Sequence, residues 1–376
     1  MEWNGNEIAI IGMDVQLPGS NSLEQFWENL CEGKECVEDI SNEALLMQGI
    51  SPELLEDERY VKRASVCDNY ECFDAAFFGY SPYEAEYMDP QHRLFLQSSW
   101  RALENAGYKP NKMPMKTGVF GCAGFNDYLV QAICHNKRFA SEETFYNVFL
   151  GNDKDFLTTR VSYKLGLTGP SVSMQSACSS SLVCIHYACQ SLLLGESDCC
   201  LAGGVNVNVP ARQGYLYQSG FIRSKDGHCC PFDDSGSGTI FASGVGVVVL
   251  KRLEDALRDR DTIYSIIVST AINNDGNRKI GFTAPSQEGQ EEVLNIGLKL
   301  EGIDPASIAY VEAHGTGTIL GDPIELRALI NSLGIWNEEN KAKGKCAIGS
   351  VKSNIGHLDA ASGVIGLIKA CLCVYN

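Results

Sequence analysis

Nothing in this 376-residue chain is apolar for long enough to span a bilayer. Its longest apolar stretches, such as Ile240 to Leu250, fall well short of the roughly 18 to 20 residues that a membrane helix needs, so the chain reads as soluble and no membrane contact is expected. A secretory leader is missing too: Met1 to Glu7 carries Glu2 and Glu7 and has neither a basic flank nor an apolar core. There are sixteen cysteines but no C-x-x-C pair, which leaves zinc-ribbon and redox-motif readings without support, and no metal is expected. Thiols scattered in this way fit a reducing cytoplasm, where most act as small hydrophobes. Basic charge is also short. Thirty Lys and Arg against 47 Asp and Glu leave a net charge of −17, which opposes attraction to a phosphate backbone and argues against nucleic acid as a partner. No repeat, low-complexity tract or long linker interrupts the chain.

What is present is an ordinary globular composition. With 44% hydrophobic and 20% charged residues, the chain can bury a substantial core as one large domain or two fused layers. Short runs rich in β-branched residues predict strands at Ile8 to Met13, Thr117 to Cys122, Cys199 to Val209, Gly244 to Leu250, Tyr264 to Ala271 and Ile308 to Glu312. Apolar positions recurring at three- and four-residue spacing predict helices at Pro90 to Ala106, Ser179 to Leu194, Gln287 to Leu300, Pro323 to Leu333 and Ser362 to Val374. The class is therefore α/β, and the continuous apolar runs predict at least one sheet covered on both faces. A charged stretch from Lys251 to Asp261 is the expected seam between the halves 5–250 and 251–376, and it is expected to be exposed.

One cysteine has a setting unlike the other fifteen. In Ser171-Val-Ser-Met-Gln-Ser-Ala-Cys178-Ser-Ser-Ser-Leu, a short extended run passes into a helix and places Cys178 at the turn. A helix amino terminus offers unpaired N–H groups and a positive dipole, which favour a thiolate and stabilise an oxyanion. The small neighbours Ala177 and Ser179 to Ser181 leave room for a sharp turn and an approaching acyl group, as in nucleophile elbows.

Two of the six histidines also sit in extended motifs. His314 closes the strand at Ile308 to Glu312, within Ala313-His314-Gly315-Thr316-Gly317-Thr318, and Gly321-Asp-Pro-Ile-Glu325 follows. A histidine at the carboxyl end of a strand faces the crevice in which α/β sheets bind ligands. His357 follows Lys352-Ser-Asn-Ile-Gly356 at another strand-to-helix transition and can face the same crevice. His92, His135, His186 and His228 lack such surroundings and are read as structural hydrogen-bonding groups. Gly315-x-Gly317-x-x-x-Gly321 lacks the dinucleotide spacing and the later acidic residue, so no nicotinamide site is expected.

The run Ser176-Ala-Cys178-Ser-Ser-Ser-Leu resembles the active-site motif of the type I polyketide and fatty-acid ketosynthases, the beta-ketoacyl synthases. The likeness extends through Ile8-Ala-Ile-Ile-Gly12, Asp89-Pro-Gln-His-Arg93 leading to Trp100, Ala102-Leu-Glu-Asn-Ala-Gly-Tyr108 and Gly281-Phe-Thr-Ala-Pro-Ser286. It covers residues 5–376. The resemblance implies the thiolase-like five-layer αβαβα fold and a homodimer. It also implies that the family fold continues past Asn376 with final strands and a glycine-rich loop, so the carboxyl-terminal part is expected to be truncated.

By the same resemblance, Cys178 accepts an acyl group from the phosphopantetheine arm of an acyl carrier protein, and no cofactor binds the domain itself. His314 and His357 assist decarboxylative condensation with a malonyl-type extender. Thr316 and Thr318 contact phosphopantetheine, with loop capping as the other reading of their hydroxyls. Lys352 supports the site electrostatically, through Glu312 or Glu325, or serves as an ordinary ion pair. The neighbouring synthase domains are the further partners. Gln175 and Ser176 stand where many relatives carry Asp and Thr. The Asp89-Pro-Gln-His-Arg93 region favours modular polyketide systems over fatty-acid synthesis. A noncatalytic carrier-docking fragment is the alternative of another class, and Cys178 argues against it.

Overall fold

The computed structural model describes residues 4–139, 141–334 and 346–376. The elements that build the site are, in chain order, β1 (Ile8–Gln16), α1 (Pro90–Asn105), β2 (Thr117–Ala123), α2 (Phe156–Leu165), β3 (Ser171–Ser173), α3 (Ser180–Leu193), β4 (Cys199–Asn206), β5 (Ala242–Arg252), α4 (Leu253–Asp259), β6 (Ser265–Ile267), α5 (Gln287–Leu300), β7 (Tyr310–Glu312), α6 (Gly321–Leu333), β8 (Ala347–Gly349) and α7 (Ser362–Tyr375). Among the described residues, no helix is long and apolar enough to cross a membrane.

The main sheet runs in the order β6-β1-β5-β4-β2-β3, with two short strands, Glu38–Asp39 and Arg63–Val66, added at its side. β4, β2 and β3 are mutually parallel, while β5 runs antiparallel to both β4 and β1. Each apolar run distributes alternate residues to opposite faces, as the two-residue period of a strand requires. Ala9, Ile11, Val119, Leu201, Val247 and Val249 turn to the face covered by α1 and α2. Ile8, Ile10, Phe120, Ala202, Val248 and Leu250 turn to the face covered by α3 and α7. The sheet is thus buried on both sides, which is why its strands read as unbroken hydrophobic sequence.

A second sheet follows. β7 and β8 pair in parallel, and Lys369 of α7 reaches Glu312 of β7 at 2.8 Å. The helices α5 and α6 pack on each other, and Glu325 of α6 binds the loop after β7. The stack is therefore helices, sheet, helices, sheet, helices, with α3 and α7 as the central layer.

These two central helices meet at their amino ends. Ser181 Oγ accepts the Val364 N–H at 3.0 Å. A Cβ on Gly363 would lie 2.5 Å from Leu182 Cγ and 3.1 Å from the Leu182 nitrogen, so only glycine allows this approach. Glycine at 204 acts similarly on β4, where a Cβ would come within 2.7 Å of Cys122 Sγ and 3.2 Å of the Ala360 carbonyl.

Several boundaries differ from expectation. β1 and β5 extend further than predicted, whereas the strand predicted at Tyr264 to Ala271 keeps only Ser265–Ile267, and Cys199–Asn206 stops short of Val209. The Lys251 to Asp261 seam is exposed only in part: Leu257 to Arg260 face solvent as expected, whereas Lys251 is buried and donates to Asp259 at 2.6 Å, Asp261 at 2.7 Å and the Tyr108 hydroxyl at 2.9 Å. Two carboxylates offset the burial of its ammonium, allowing a charged sequence to fold inward.

Gly363→Ala should destabilise the fold. Its gain of about 1 kcal/mol in helix propensity is outweighed by overpacking of about 1–3 kcal/mol between α3 and α7. Urea unfolding measures the balance, and a variant as stable as the parent would show that the helix ends tolerate separation.

Candidate active site

Cys178 lies between β3 and α3 in a turn built by small residues. The Ser180 hydroxyl accepts the Ser176 N–H at 2.8 Å and donates to the Ala177 carbonyl at 2.6 Å, while Ser179 Oγ donates to the Ser176 carbonyl at 2.9 Å. Ala177 adopts φ 53°, a left-handed conformation uncommon for a residue with a Cβ. A strained residue directly before the nucleophile turns the thiol out of the strand line.

His357 is anchored to the main sheet. Its N–H donates to Ile240 at 2.7 Å and its carbonyl accepts from Ala242 at 2.8 Å, at the start of β5. The ring is fully buried. Its Nδ1 accepts the Asp359 N–H at 2.9 Å and lies 3.0 Å from Ser362 Oγ. A backbone N–H can only donate, so Nδ1 carries no proton and the neutral ring bears its proton on Nε2. That Nε2 is buried and has no hydrogen-bond partner. It is a donor held ready for an acceptor.

His314 follows β7 and remains accessible at the crevice, with its ring 5.3 Å from that of His357 and nearly perpendicular to it. The structure brings Cys178, His314 and His357 together: Sγ and one nitrogen of each ring lie within 4.8 Å of one another. Three such atoms also resemble a metal set, but a proton fixed on His357 Nε2 occupies the lone pair that a metal would need.

Lys352 is buried and sits behind this cluster, donating from Nζ to the His314 carbonyl at 2.6 Å. The partners expected for it are used otherwise. Glu325 accepts the N–H groups of His314 and Gly315, at 2.6 and 2.8 Å, while Glu312 accepts Val351 N–H at 2.6 Å and pairs with Lys369. No carboxylate forms a salt bridge with Lys352 among the described residues, so its field reaches the histidines. Burial first, and then the Lys352 ammonium, push His357 well below the usual imidazole range; the same two causes act downward on His314, less strongly because its side chain stays exposed to solvent. Burial likewise lowers Lys352 itself.

The expectation of a resting thiolate at Cys178 needs correction. Burial, followed by the adjacent Asp359 carboxylate, pushes the thiol up to about 11, against smaller opposing effects of Lys352 and the local backbone. The thiol lies 3.5 Å from Asp359 Oδ1 and donates to it. Desolvation and a neighbouring carboxylate both disfavour the charged thiolate. Asp359 was missed in the sequence because its importance lies in its backbone. At φ 45° it is left-handed, so its N–H meets His357 while its carboxylate meets Cys178.

Thr316 and Thr318 bond to each other through their hydroxyls at 3.0 Å, and Thr318 Oγ1 also accepts the Gly321 N–H at 3.1 Å. This is the loop-capping arrangement, and it leaves each hydroxyl with spare hydrogen-bonding capacity. Gln175 lies 3.5 Å from Lys154 Nζ. The remaining histidines have local partners: His92 with Arg160, His135 with the Val130 carbonyl, His186 with Thr270 and His228 with Glu35.

A cysteine at a helix start facing two neutral imidazoles, at the meeting of the central helices of five layers, defines a thiolase-like α/β protein. The family model for the N-terminal domain of beta-ketoacyl synthase matches residues 5–256, and that for its C-terminal domain matches residues 264–376. The chain belongs to the beta-ketoacyl synthase family. It is 46% identical over 377 residues to one of the subunits of the phenolphthiocerol/phthiocerol polyketide synthase of Mycobacterium tuberculosis, covering 99% of this chain and 25% of that protein. Polyketide synthase PksN of Bacillus subtilis is 41% identical over 371 residues, with 99% and 7% covered. The crystal structure of ketosynthase twelve from the bacillaene polyketide synthase of Bacillus amyloliquefaciens superposes with a TM-score of 0.93 at 40% identity, covering 99% of this chain and 65% of that one. The chain thus spans a quarter or less of the length of these curated relatives.

The buried His357 ring gives stability a pH dependence. An unfolded imidazole takes up a proton as the pH falls through about 6.5, whereas folded His357, held well below that range by burial and Lys352, does not. Its contribution is complete above pH 6.5 and shrinks on acidification toward the lowered folded value. The urea midpoint is expected to fall from pH 7 to pH 5, and to fall less in His357→Asn, by at most about 1.4 kcal/mol per pH unit. Identical pH slopes in parent and variant would contradict the neutral buried ring.

Proposed function

We propose that this chain is the ketosynthase of a modular polyketide synthase, joining a Cys178-bound acyl chain to a malonyl-type extender by decarboxylative Claisen condensation. The observation that carries the reading is the convergence of Cys178 Sγ with two imidazoles within 4.8 Å, one of which holds an unpartnered donor at Nε2. Both substrates arrive as thioesters on the phosphopantetheine arm of an acyl carrier protein. Thr316 and Thr318 are the proposed hydroxyl contacts to that arm.

In the first half-reaction, Cys178 Sγ attacks the thioester carbonyl, a new carbon–sulfur bond forms, and the pantetheine thiol leaves. In the second, the extender loses carbon dioxide and its electron pair becomes an enolate. The Nε2–H of His357, with His314 beside it, stabilises the enolate oxygen, a role that suits neutral donors in a buried site. The enolate carbon then attacks the acyl carbon and expels the Cys178 thiolate. The backbone N–H of Cys178 is the proposed donor to the thioester oxygen. Lys352 acts through its field, holding both rings neutral.

Two further features belong to this reading. β3 ends the main sheet with its outer edge unpaired among the described residues, and Val172 on it is exposed. Exposed strand edges invite pairing, so a second copy of the chain is proposed to pair there, giving a homodimer. All sixteen cysteines are free, which fits a reducing, cytoplasmic setting.

Cys178→Ala should abolish acyl transfer from acyl-pantetheine thioesters, read by peptide mass spectrometry. His357→Ala should still load but lose condensation by about 10²-fold or more. Normal acylation without Cys178, or unchanged product from the histidine variant, would refute the respective roles. Light scattering should give twice the chain mass, and Val172→Lys should shift it toward the monomer. A parent that is monomeric at micromolar concentration would remove the dimer.

A further inference from the structure

Acyl loading leaves one proton unaccounted for. The thiol must lose it when Sγ attacks, and the ring nitrogens nearby are poorly suited to take it. His357 Nδ1 already receives the Asp359 N–H, and its Nε2 bears a proton, so this ring can only donate toward Cys178. His314 makes no hydrogen bond with the Cys178 thiol among the described residues. The acceptor that the thiol actually contacts is the Asp359 carboxylate, with Sγ to Oδ1 at 3.5 Å.

Resting on the ketosynthase reading above, we propose that Asp359 is a further catalytic residue, the general base that takes the Cys178 proton during acyl loading. The same residue fixes both reacting groups: its main-chain N–H sets the His357 tautomer, and its side chain holds the thiol. The left-handed backbone at φ 45° makes both contacts possible at once, and such outliers persist where the surroundings over-determine them.

The thiol proton moves to Asp359 Oδ1 as Sγ bonds to the thioester carbon, whose oxygen takes the electron pair. Collapse breaks the bond to pantetheine sulfur, and the departing thiolate takes the proton back from Asp359. Loading thus ends with Asp359 ionised, Cys178 acylated and a neutral pantetheine thiol. In the later condensation, the expelled Cys178 thiolate is reprotonated from water. The charged and titratable groups facing the thiol and carboxylate are Lys352, His314, His357 and, more deeply buried, Cys122.

Asp359→Asn tests the assignment. Asparagine tolerates left-handed backbone, so the N–H to His357 is kept while the base is removed. Two rates at Cys178 are measured by peptide mass spectrometry at pH 7.5: alkylation by iodoacetamide and acylation by an acyl-pantetheine thioester. Removing the carboxylate's charge makes the thiolate easier to form, so alkylation should rise. Removing the base should slow acylation by about 10²-fold, the usual scale of general-base catalysis. This opposed pair of changes is the expected result. Acylation that is unchanged or faster would overturn the proposal by showing that a pre-formed thiolate reacts. A fall in both rates would overturn it as well, leaving Asp359 only a structural role. If the parent chain itself is not acylated at Cys178, the ketosynthase reading fails, and this proposal falls with it.

Discussion

The approach of two helix ends governs the rest of the site. α3 begins just after Cys178 and α7 just after His357 and Asp359, and the Ser181 to Val364 hydrogen bond joins these ends across the absent side chain of Gly363. No local sequence feature brings residue 178 near residue 357. The central layer does so, because both helices are packed into one core against the sheet and their amino ends are joined there. The layered core is therefore what brings two distant loops into one candidate site.

Charge is arranged around that centre with a single theme. Burial first, and then the ammonium of Lys352, bonded to a carbonyl and forming no salt bridge with the described carboxylates, disfavour protonation of the imidazoles. The carboxylates that could neutralise it are held by backbone N–H groups: Glu325 by His314 and Gly315, Glu312 by Val351. A carboxylate that accepts two backbone N–H groups gives up little by remaining apart from the lysine, since charge-assisted bonds of this kind are strong. Lys352 thereby acts at a distance, and the histidine loop is pinned independently.

Much of this arrangement was legible in the sequence, for physical reasons that differ by residue. The turn at Cys178 was visible because an extended run, a small-residue patch and a helical pattern follow one another there, each tied to a local backbone preference. His314 was visible because a strand ends at Glu312 and glycines follow. α5 was predicted with the boundaries observed, Gln287–Leu300, since Ser286 caps it and a single apolar face runs its length. Burial compensated by tertiary partners was not legible. Lys251 looked exposed because its two aspartates also looked exposed, and only folding brings the three charges together. The partner of Lys352 was hidden similarly, because a main-chain carbonyl leaves no mark in sequence. Asp359 escaped notice because its conformation, rather than its type, gives it two contacts.

The protonated thiol changes how the chemistry must be ordered. A thiolate at rest would react with any electrophile entering the crevice, whereas a thiol pushed up to about 11 reacts only when its proton has somewhere to go. Burial and the Asp359 carboxylate both raise it, yet burial also weakens the histidines as bases, so one desolvated pocket sets the two kinds of group in opposite directions. In the proposed reaction, the rings are the donors to a developing enolate and the thiol is a guarded nucleophile. In the proposed reaction that division separates loading from condensation: the carboxylate side of Cys178 handles the proton, and the imidazole side handles negative charge on oxygen.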